Sequence, residues 1–114
     1  LGRPISPNVP APTLPASMGG NKTPIIDEEQ YYRSGLSWVE SYHKHLRSGG
    51  NPYLMNEAPK FLRRLTLKEA AILHSYPEDF QFQGPKSSIY KQIGNAVPVK
   101  LAEALASSIL KILN

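Results

Sequence analysis

Three histidines and nine carboxylates are the side chains of this 114-residue sequence best suited to bind metals or transfer protons, and cysteine is absent. Without cysteine there is no thiolate nucleophile, no zinc–thiolate site and no disulfide. His43 and His45 are two positions apart, so on a helix they point to different faces and cannot hold one metal ion together. His74 stands alone in the sequence. The sequence therefore predicts no metal site and no catalytic residue of its own.

Glu69 has the most informative context among the carboxylates, because it follows Thr66 by three residues. At this spacing a threonine hydroxyl and a glutamate carboxylate each bind a backbone N–H at the start of a helix. We interpret the pair as a helix cap rather than as catalytic groups. Apolar residues from Leu67 to Leu73 give this helix one face, and Pro77 is expected to end it.

The rest of the C-terminal half is predicted to be a loop and one more helix. Residues 78–92 are expected to form the loop, and Gly94 and Pro98 to bracket a turn into the last helix. In that helix most of the surface is apolar, and the polar stripe consists of Lys100, Glu103, Ser107 and Lys111. So broad an apolar face needs burial on more than one side.

The N-terminal half is predicted to be extended chain followed by helices. Residues 1–27 are rich in proline and glycine, with a turn expected at Gly19-Gly20-Asn21 and a short strand at Ile25-Ile26. Asp27 and Ser37 have capping-box spacing to Gln30 and Glu40. The helix that begins near Trp38 should end at residues 49–52, which read G-G-N-P.

Composition adds only weak constraints on function. The net charge of +4 favours a polyanionic partner mildly. Individual cations could contact phosphates, although solvated surface charge is the more common explanation; the candidates are Lys44, Arg47, Arg63, Arg64 and Lys68. No apolar run approaches the roughly 18 residues of a membrane span. We therefore expect a soluble, cytoplasmic protein; prokaryotic origin and association with the nucleoid are implied by the family resemblance described below. The absence of an initial methionine favours a fragment, a processed product or a trimmed chain.

Two blocks carry a resemblance to a known family. Residues 63–77 read R-R-L-T-L-K-E-A-A-I-L-H-S-Y-P, and residues 90–98 read Y-K-Q-I-G-N-A-V-P. They resemble motif IX (R-x-L-T-x-x-E-x(6)-[FY]-P) and motif X (Y-x-Q-[IF]-G-N-[AS]-V) of DNA (cytosine-5)-methyltransferases, in the family's order and spacing. Residues 13–21, T-L-P-A-S-M-G-G-N, are similar to the end of the family's target-recognition domain. Residues 28–62 match no family motif.

The resemblance implies roles for particular residues. It implies DNA-backbone contacts for Thr13, Gly19 and Gly20, where a glycine turn lets backbone N–H groups approach phosphate. It implies that S-adenosylmethionine is bound partly by Asn95, Ala96 and Val97, with Tyr76 bordering the same pocket. Without the resemblance, the glycine turn would be an ordinary surface turn, residues 94–97 would be the start of a helix, and Tyr76 would be an aromatic residue of the core. Structural roles are expected for Arg63, which joins the recognition and catalytic lobes in the family, and for Thr66 and Glu69.

The implied architecture is mixed α/β. Residues 1–62 would be the end of the target-recognition domain with a variable helical insert. Residues 63–114 would be the helices that complete a Rossmann-like S-adenosylmethionine-dependent catalytic domain. The family's chemistry needs a cysteine thiolate that attacks C6 of a flipped cytosine, which this chain lacks.

Three interpretations follow from the missing cysteine. The chain is a fragment of a longer enzyme, the small subunit of a split enzyme, or a non-catalytic DNA-binding or regulatory relic. The expected partners are double-stranded DNA and an N-terminal catalytic portion, in cis or as a separate subunit, with no membrane.

Overall fold

The computed structural model describes residues 4–54 and 58–114. In chain order the elements are strand β1 (Ile25–Asp27), helix α1 (Glu28–Arg33), helix α2 (Trp38–Arg47), strand β2 (Leu62–Arg64), helix α3 (Leu67–Leu73), helix α4 (Lys86–Asn95) and helix α5 (Val99–Leu113). The fold is therefore mixed α and β, as expected, and the strand predicted at Ile25-Ile26 is confirmed.

The two strands form a short antiparallel ribbon that joins distant parts of the chain. Ile25 pairs with Arg64 and Asp27 with Leu62. The pairing is extended on one side by Leu65, whose N–H donates to the carbonyl of Pro24 at 2.8 Å. On the other edge the N–H of Ile5 donates to the carbonyl of Ile25 at 2.9 Å. The ribbon thus fixes the start of α3 against the proline-rich N-terminal segment.

One hydrophobic core lies beneath the ribbon and the helices α3 and α4. It takes residues from both sides of position 62, so the extended N-terminal segment and the C-terminal helices share one interior. Its buried members are Ile5, Leu14, Met18, Ile26, Leu65, Ala70, Tyr90 and Ile93.

Asp27 anchors both helices of the segment between the strands. Its side chain is 1% exposed; Oδ1 accepts from the N–H of Gln30 at 3.1 Å and Oδ2 from the N–H of Trp38 at 2.8 Å. The predicted cap at Asp27 is therefore confirmed. Ser37 is the N-cap of α2, but the predicted capping box is wrong, because the buried Ser37 hydroxyl makes no hydrogen bond in the described part of the chain. The first N–H of α2, that of Trp38, is bound by Asp27.

Helix α3 begins as predicted and ends earlier than predicted. The Thr66–Glu69 capping box is complete, with the N–H of Glu69 donating to Thr66 Oγ1 at 3.2 Å and the N–H of Thr66 donating to Glu69 Oε2 at 2.9 Å. The helix ends at Leu73 rather than at Pro77, because Ser75 adopts the left-handed conformation, with a φ of 62°.

The loop predicted over residues 78–92 is wrong in its second half, where α4 forms. Ile93 follows Tyr90 by three residues and Ile89 by four, so these side chains share one face of a helix. Tyr90 and Ile93 are buried. Gly94 and Asn95 consequently lie in the last turn of α4, and Ala96 is its C-cap, so this motif closes a helix rather than starting one. Pro98 is the N-cap of α5.

Helix α5 leaves its apolar residues uncovered. Every residue from Val99 to Leu113 is exposed, including Leu105 at 61% and Ile112 at 83%. The prediction that this helix needs burial on more than one side is consistent with that exposure. Across the described residues, no helix is both long and apolar enough to cross a membrane.

Candidate functional site

The segment that contains Thr13 and the glycine turn packs directly on α4. A Cβ atom placed on Gly94 would lie 2.5 Å from the Cα of Ala16 and 2.6 Å from the carbonyl oxygen of Pro15. Both neighbours are backbone atoms, so only glycine permits this contact. A little further along, a Cβ atom on Gly19 would lie 3.2 Å from the Tyr90 ring. The two glycines hold residues 15–19 against the buried side of α4.

Tyr90 links this contact to α3. Its ring is 5% exposed, and its hydroxyl donates to the carbonyl of Leu65 at 2.8 Å, one residue before the α3 cap. Burial raises the pKa of the Tyr90 phenol, which therefore stays protonated and able to donate. A single side chain thus connects the glycine turn, α4 and the start of α3.

The two glycines of the turn differ in their surroundings. Gly19 has a φ of +107°, which glycine adopts without strain, and its N–H already donates to Thr23 Oγ1 at 2.8 Å. Gly20 is exposed, and no atom lies within 4 Å of a Cβ placed on it. A phosphate approaching this turn would therefore meet Gly20, while Gly19 shapes the loop.

The motif that ends α4 borders a cavity of about 220 Å³ between the N-terminal segment and α5. Ala96 and Gly94 line one side, and Thr13 lines the other. Asn95 and Val97 are exposed at the end of α4. The structure thus brings Thr13 close to the turn at residues 94–97.

His74 lies in the same cavity, a placement that its sequence context does not indicate. Its side chain is 6% exposed, and Nδ1 is buried without a hydrogen-bond partner among the described residues. Burial lowers the pKa of the His74 imidazole, so the neutral form is favoured. Only the fold could reveal this placement, because an isolated histidine carries no pattern.

Tyr76 belongs to a different cluster from the turn at residues 94–97. Its ring packs against Phe80 and Phe82 at centroid distances of 4.8 and 4.9 Å, and the three rings line a separate cavity of about 210 Å³. The ring is half-buried. Among the described residues, Tyr76 lines this aromatic cavity, whereas Gly94 and Ala96 line the cavity that contains His74.

Arg63 joins the insert to α3 through two carboxylates. Its guanidinium donates from Nε to Glu28, and from Nη1 and Nη2 to the two oxygens of Glu69 at 2.9 and 2.7 Å. These charge-assisted hydrogen bonds raise the pKa of Arg63 and lower that of Glu69 to about 2. Thr66 and Glu69 thus form the predicted helix cap, and Arg63 binds its carboxylate. The expected role of Arg63 in joining two lobes stays a prediction.

The arrangement is that of a two-part surface rather than a reaction centre. The glycine turn lies against Tyr90 in the middle of α4, and the motif-X-type turn ends the same helix beside the cavity that contains His74. A model of the family described as C-5 cytosine-specific DNA methylase matches residues 12–111. The chain therefore belongs to the C-5 cytosine-specific DNA methylase family.

Several curated relatives are type II methyltransferases. Over 97 residues the chain is 48% identical to M.PspPI of Psychrobacter sp. (strain TA137), a match that covers 85% of this chain and 22% of that protein. It is 45% identical over 56 residues to M.Eco47II of Escherichia coli, covering 49% of this chain and 13% of the relative. M.MthTI of Methanothermobacter thermautotrophicus is 41% identical over 71 residues, 60% of this chain and 22% of the relative. No solved structure matches the chain.

The chain thus spans about a fifth or less of the length of these relatives. The family match includes residues 28–62, which contain no family motif, since it runs without interruption from residue 12 to residue 111.

Proposed function

We propose that this chain is the C-terminal part of a DNA (cytosine-5)-methyltransferase and that it positions DNA and S-adenosylmethionine for a catalytic portion supplied in cis or as a separate subunit. The observation that carries the proposal is the backbone contact between Gly94 and residues 15–16. It packs the segment that carries the proposed DNA-contacting residues against the end of α4, where the proposed cofactor-binding residues lie.

The side chains at the 94–97 turn are suited to the amino-acid end of the cofactor. The exposed Asn95 amide can donate to a carboxylate and accept from an ammonium group, and Ala96 leaves room beside it. When bound, S-adenosylmethionine supplies the methyl group. Val97 would add an apolar contact, and Tyr76 would border the pocket from its aromatic cluster once the catalytic portion closes the gap between the two.

The DNA-facing residues would be Thr13, Gly19 and Gly20. Thr13 is exposed and offers a hydroxyl, and Gly20 is open to close approach. Gly19 contributes by fixing the loop, because its own N–H binds Thr23. Such contacts to phosphate position the protein and carry no base sequence.

The exposed apolar face of α5 is the surface we assign to the catalytic portion. Leu105 and Ile109 are 61% and 49% exposed, and a solvated helix does not normally present such a row. Covering it with a parallel sheet would complete a Rossmann-like domain. Because the chain has no cysteine, the thiolate nucleophile must come from that portion.

Reconstitution tests the proposal. The Psychrobacter relative, truncated to remove the part that matches this chain, is co-expressed with the chain and assayed for transfer of a labelled methyl group to duplex DNA. We expect transfer from the mixture and none from either part alone. In the matched controls, L105E/I109E in the chain should abolish transfer, while K111E on the polar stripe should not.

Stable association without transfer would instead support the alternative function, a non-catalytic DNA-binding or regulatory member of the family. A mixture that neither associates nor transfers would contradict the assignment of α5 as the docking surface.

A further inference from the structure

A second polar surface lies beside the glycine turn, on the side away from the cofactor turn. It is an open groove of about 380 Å³, lined by Gly19, Thr23, Arg64, Leu65, Thr66, Lys86, Ser87 and Tyr90. Its floor is neutral and buried, since Thr23, Leu65 and Tyr90 are at most 5% exposed. Its rim is exposed and carries the two cations, Arg64 and Lys86.

In the part of the chain that the structure describes, no carboxylate forms an ion pair with either cation of the rim. Among the described residues that line the groove, none is acidic. Arg64 donates to the neutral Asn21 Oδ1 at 3.1 Å, and the Lys86 side chain makes no ion pair or hydrogen bond in the described part of the chain. By contrast, the neighbouring Arg63 is fully engaged by Glu28 and Glu69. The two adjacent arginines of β2 therefore differ: Arg63 is paired with carboxylates, and Arg64 is not.

We propose that Arg64, Lys86 and the Ser87 hydroxyl bind backbone phosphates of the DNA, continuing the contact made at Gly20. The inference rests on the proposed function and deepens it. A guanidinium, an ammonium and a hydroxyl lie around a neutral floor, with no carboxylate among the lining residues to compete for them, which suits phosphate oxygens. The groove shares Gly19 with the turn, so one DNA strand can follow both surfaces.

The test compares R64Q/K86Q with unmutated chain by fluorescence anisotropy on two unrelated short duplexes. Each lost phosphate contact lowers the slope of log K against log salt by about 0.9. Between about 50 and about 200 mM salt, the unmutated chain should therefore lose roughly tenfold more affinity than the double variant. Both duplexes should give the same result.

Two controls separate the groove from general charge loss. K111Q removes a positive charge from the last turn of α5, and N21A removes the Arg64–Asn21 hydrogen bond while keeping the arginine. Both should retain the slope of the unmutated chain. A double variant whose slope equals that of K111Q would overturn the inference.

Gly20→Val separates this inference from the proposed function. If G20V weakens binding while R64Q/K86Q does not, the groove assignment fails and the DNA role of the turn stands. If the reverse holds, the groove binds DNA and the turn assignment fails. An unmutated chain that binds neither duplex would overturn both.

Nuclear magnetic resonance of the unmutated chain decides the question without any substitution. Addition of duplex should shift the backbone amide signals of Gly19 and Ser87 and leave those of the last turn of α5 in place. Equal shifts with inorganic phosphate at matched ionic strength would mean a free-anion site and would overturn the DNA assignment.

Discussion

Replacing Gly94 by alanine tests the contact on which the proposed function depends. The new Cβ atom would lie 2.5 Å from the Cα of Ala16, 2.6 Å from the carbonyl oxygen of Pro15 and 2.7 Å from the nitrogen of Ala16. All three are backbone atoms, so no side-chain rotation can relieve the overlap. Overpacking of this kind costs about 1–3 kcal/mol, and more where the backbone resists movement.

An opposing effect is present, because Gly94 lies in the last turn of α4. Alanine is favoured over glycine inside a helix by about 1 kcal/mol. With a steric cost at the upper end of its range, the net loss of unfolding free energy is about 1–2 kcal/mol. For a domain of this size, that lowers the melting temperature by roughly 5–15 °C.

Thermal denaturation followed by circular dichroism, in parallel with Gly35→Ala, measures the effect. No atom lies within 4 Å of a Cβ placed on Gly35, and its φ is not positive, so its replacement should be neutral or slightly stabilising. A G94A variant that melts at or above the temperature of the unmutated chain would refute the packing of residues 15–16 on α4. It would also remove the observation that carries the proposed function.

Four further outcomes follow from the site. Burial lowers the His74 pKa below its usual 6.5. The stability that the neutral imidazole contributes is therefore present above pH 6.5 and is lost as the pH falls below that value. In H74L, the melting temperature should depend less on pH in this range. The Glu69 pKa is lowered to about 2 from 4.5, so its contribution disappears as the pH falls from about 4.5 to about 2, a decline that E69Q should remove. In the reconstituted enzyme, Asn95→Ala should weaken S-adenosylmethionine binding roughly fivefold in calorimetry, because one hydrogen bond contributes about 1 kcal/mol. Unchanged affinity together with a lower melting temperature would mean that Asn95 has a purely structural role. Gly20→Val should weaken binding to cognate and non-cognate duplex alike at fixed salt, and loss of cognate affinity alone would mean that the turn reads bases.

The features predicted correctly from sequence are those whose cause is local. The capping box at Thr66 needs only a hydroxyl and a carboxylate three residues apart, and the cap at Asp27 is equally short in range. The strand at Ile25-Ile26 follows from β-branched residues bounded by proline and aspartate. Each of these is decided within one turn or one strand.

One error involves a contact with a distant group, and the other involves a local pattern that is compatible with both a loop and a helix. Ser37 lies at the expected N-cap, but the Trp38 N–H it precedes is bound by Asp27 Oδ2, eleven residues away from Trp38. Helix α4 is absent from the prediction because Gly84-Pro85 and two serines are typical of a loop, although Ile89, Tyr90 and Ile93 have helical spacing. That spacing was the available signal.

Other contacts have no sequence signal. The engagement of Arg63 by Glu28 joins residues 35 positions apart, and the approach of Gly94 to Pro15 and Ala16 spans nearly 80. Motif comparison singles out Arg63 and Gly94, but only the fold shows that Gly94 is required by another part of the backbone. The same holds for the groove, where Arg64 and Lys86 come together from β2 and α4.

The placement of glycines joins the parts of the chain to which the two proposed ligands are assigned. Gly94 brings the N-terminal segment onto α4, and Gly19 lets the loop turn back over Tyr90, whose hydroxyl in turn fixes the start of α3. A displacement at the glycine turn would therefore be transmitted through Tyr90 to the helix whose end carries Asn95 and Ala96. In a methyltransferase assembled from this chain and a catalytic portion, DNA binding and cofactor binding should accordingly be coupled. G94A in the reconstituted enzyme should weaken both, whereas G20V should weaken DNA binding and leave unchanged the cofactor affinity measured without DNA.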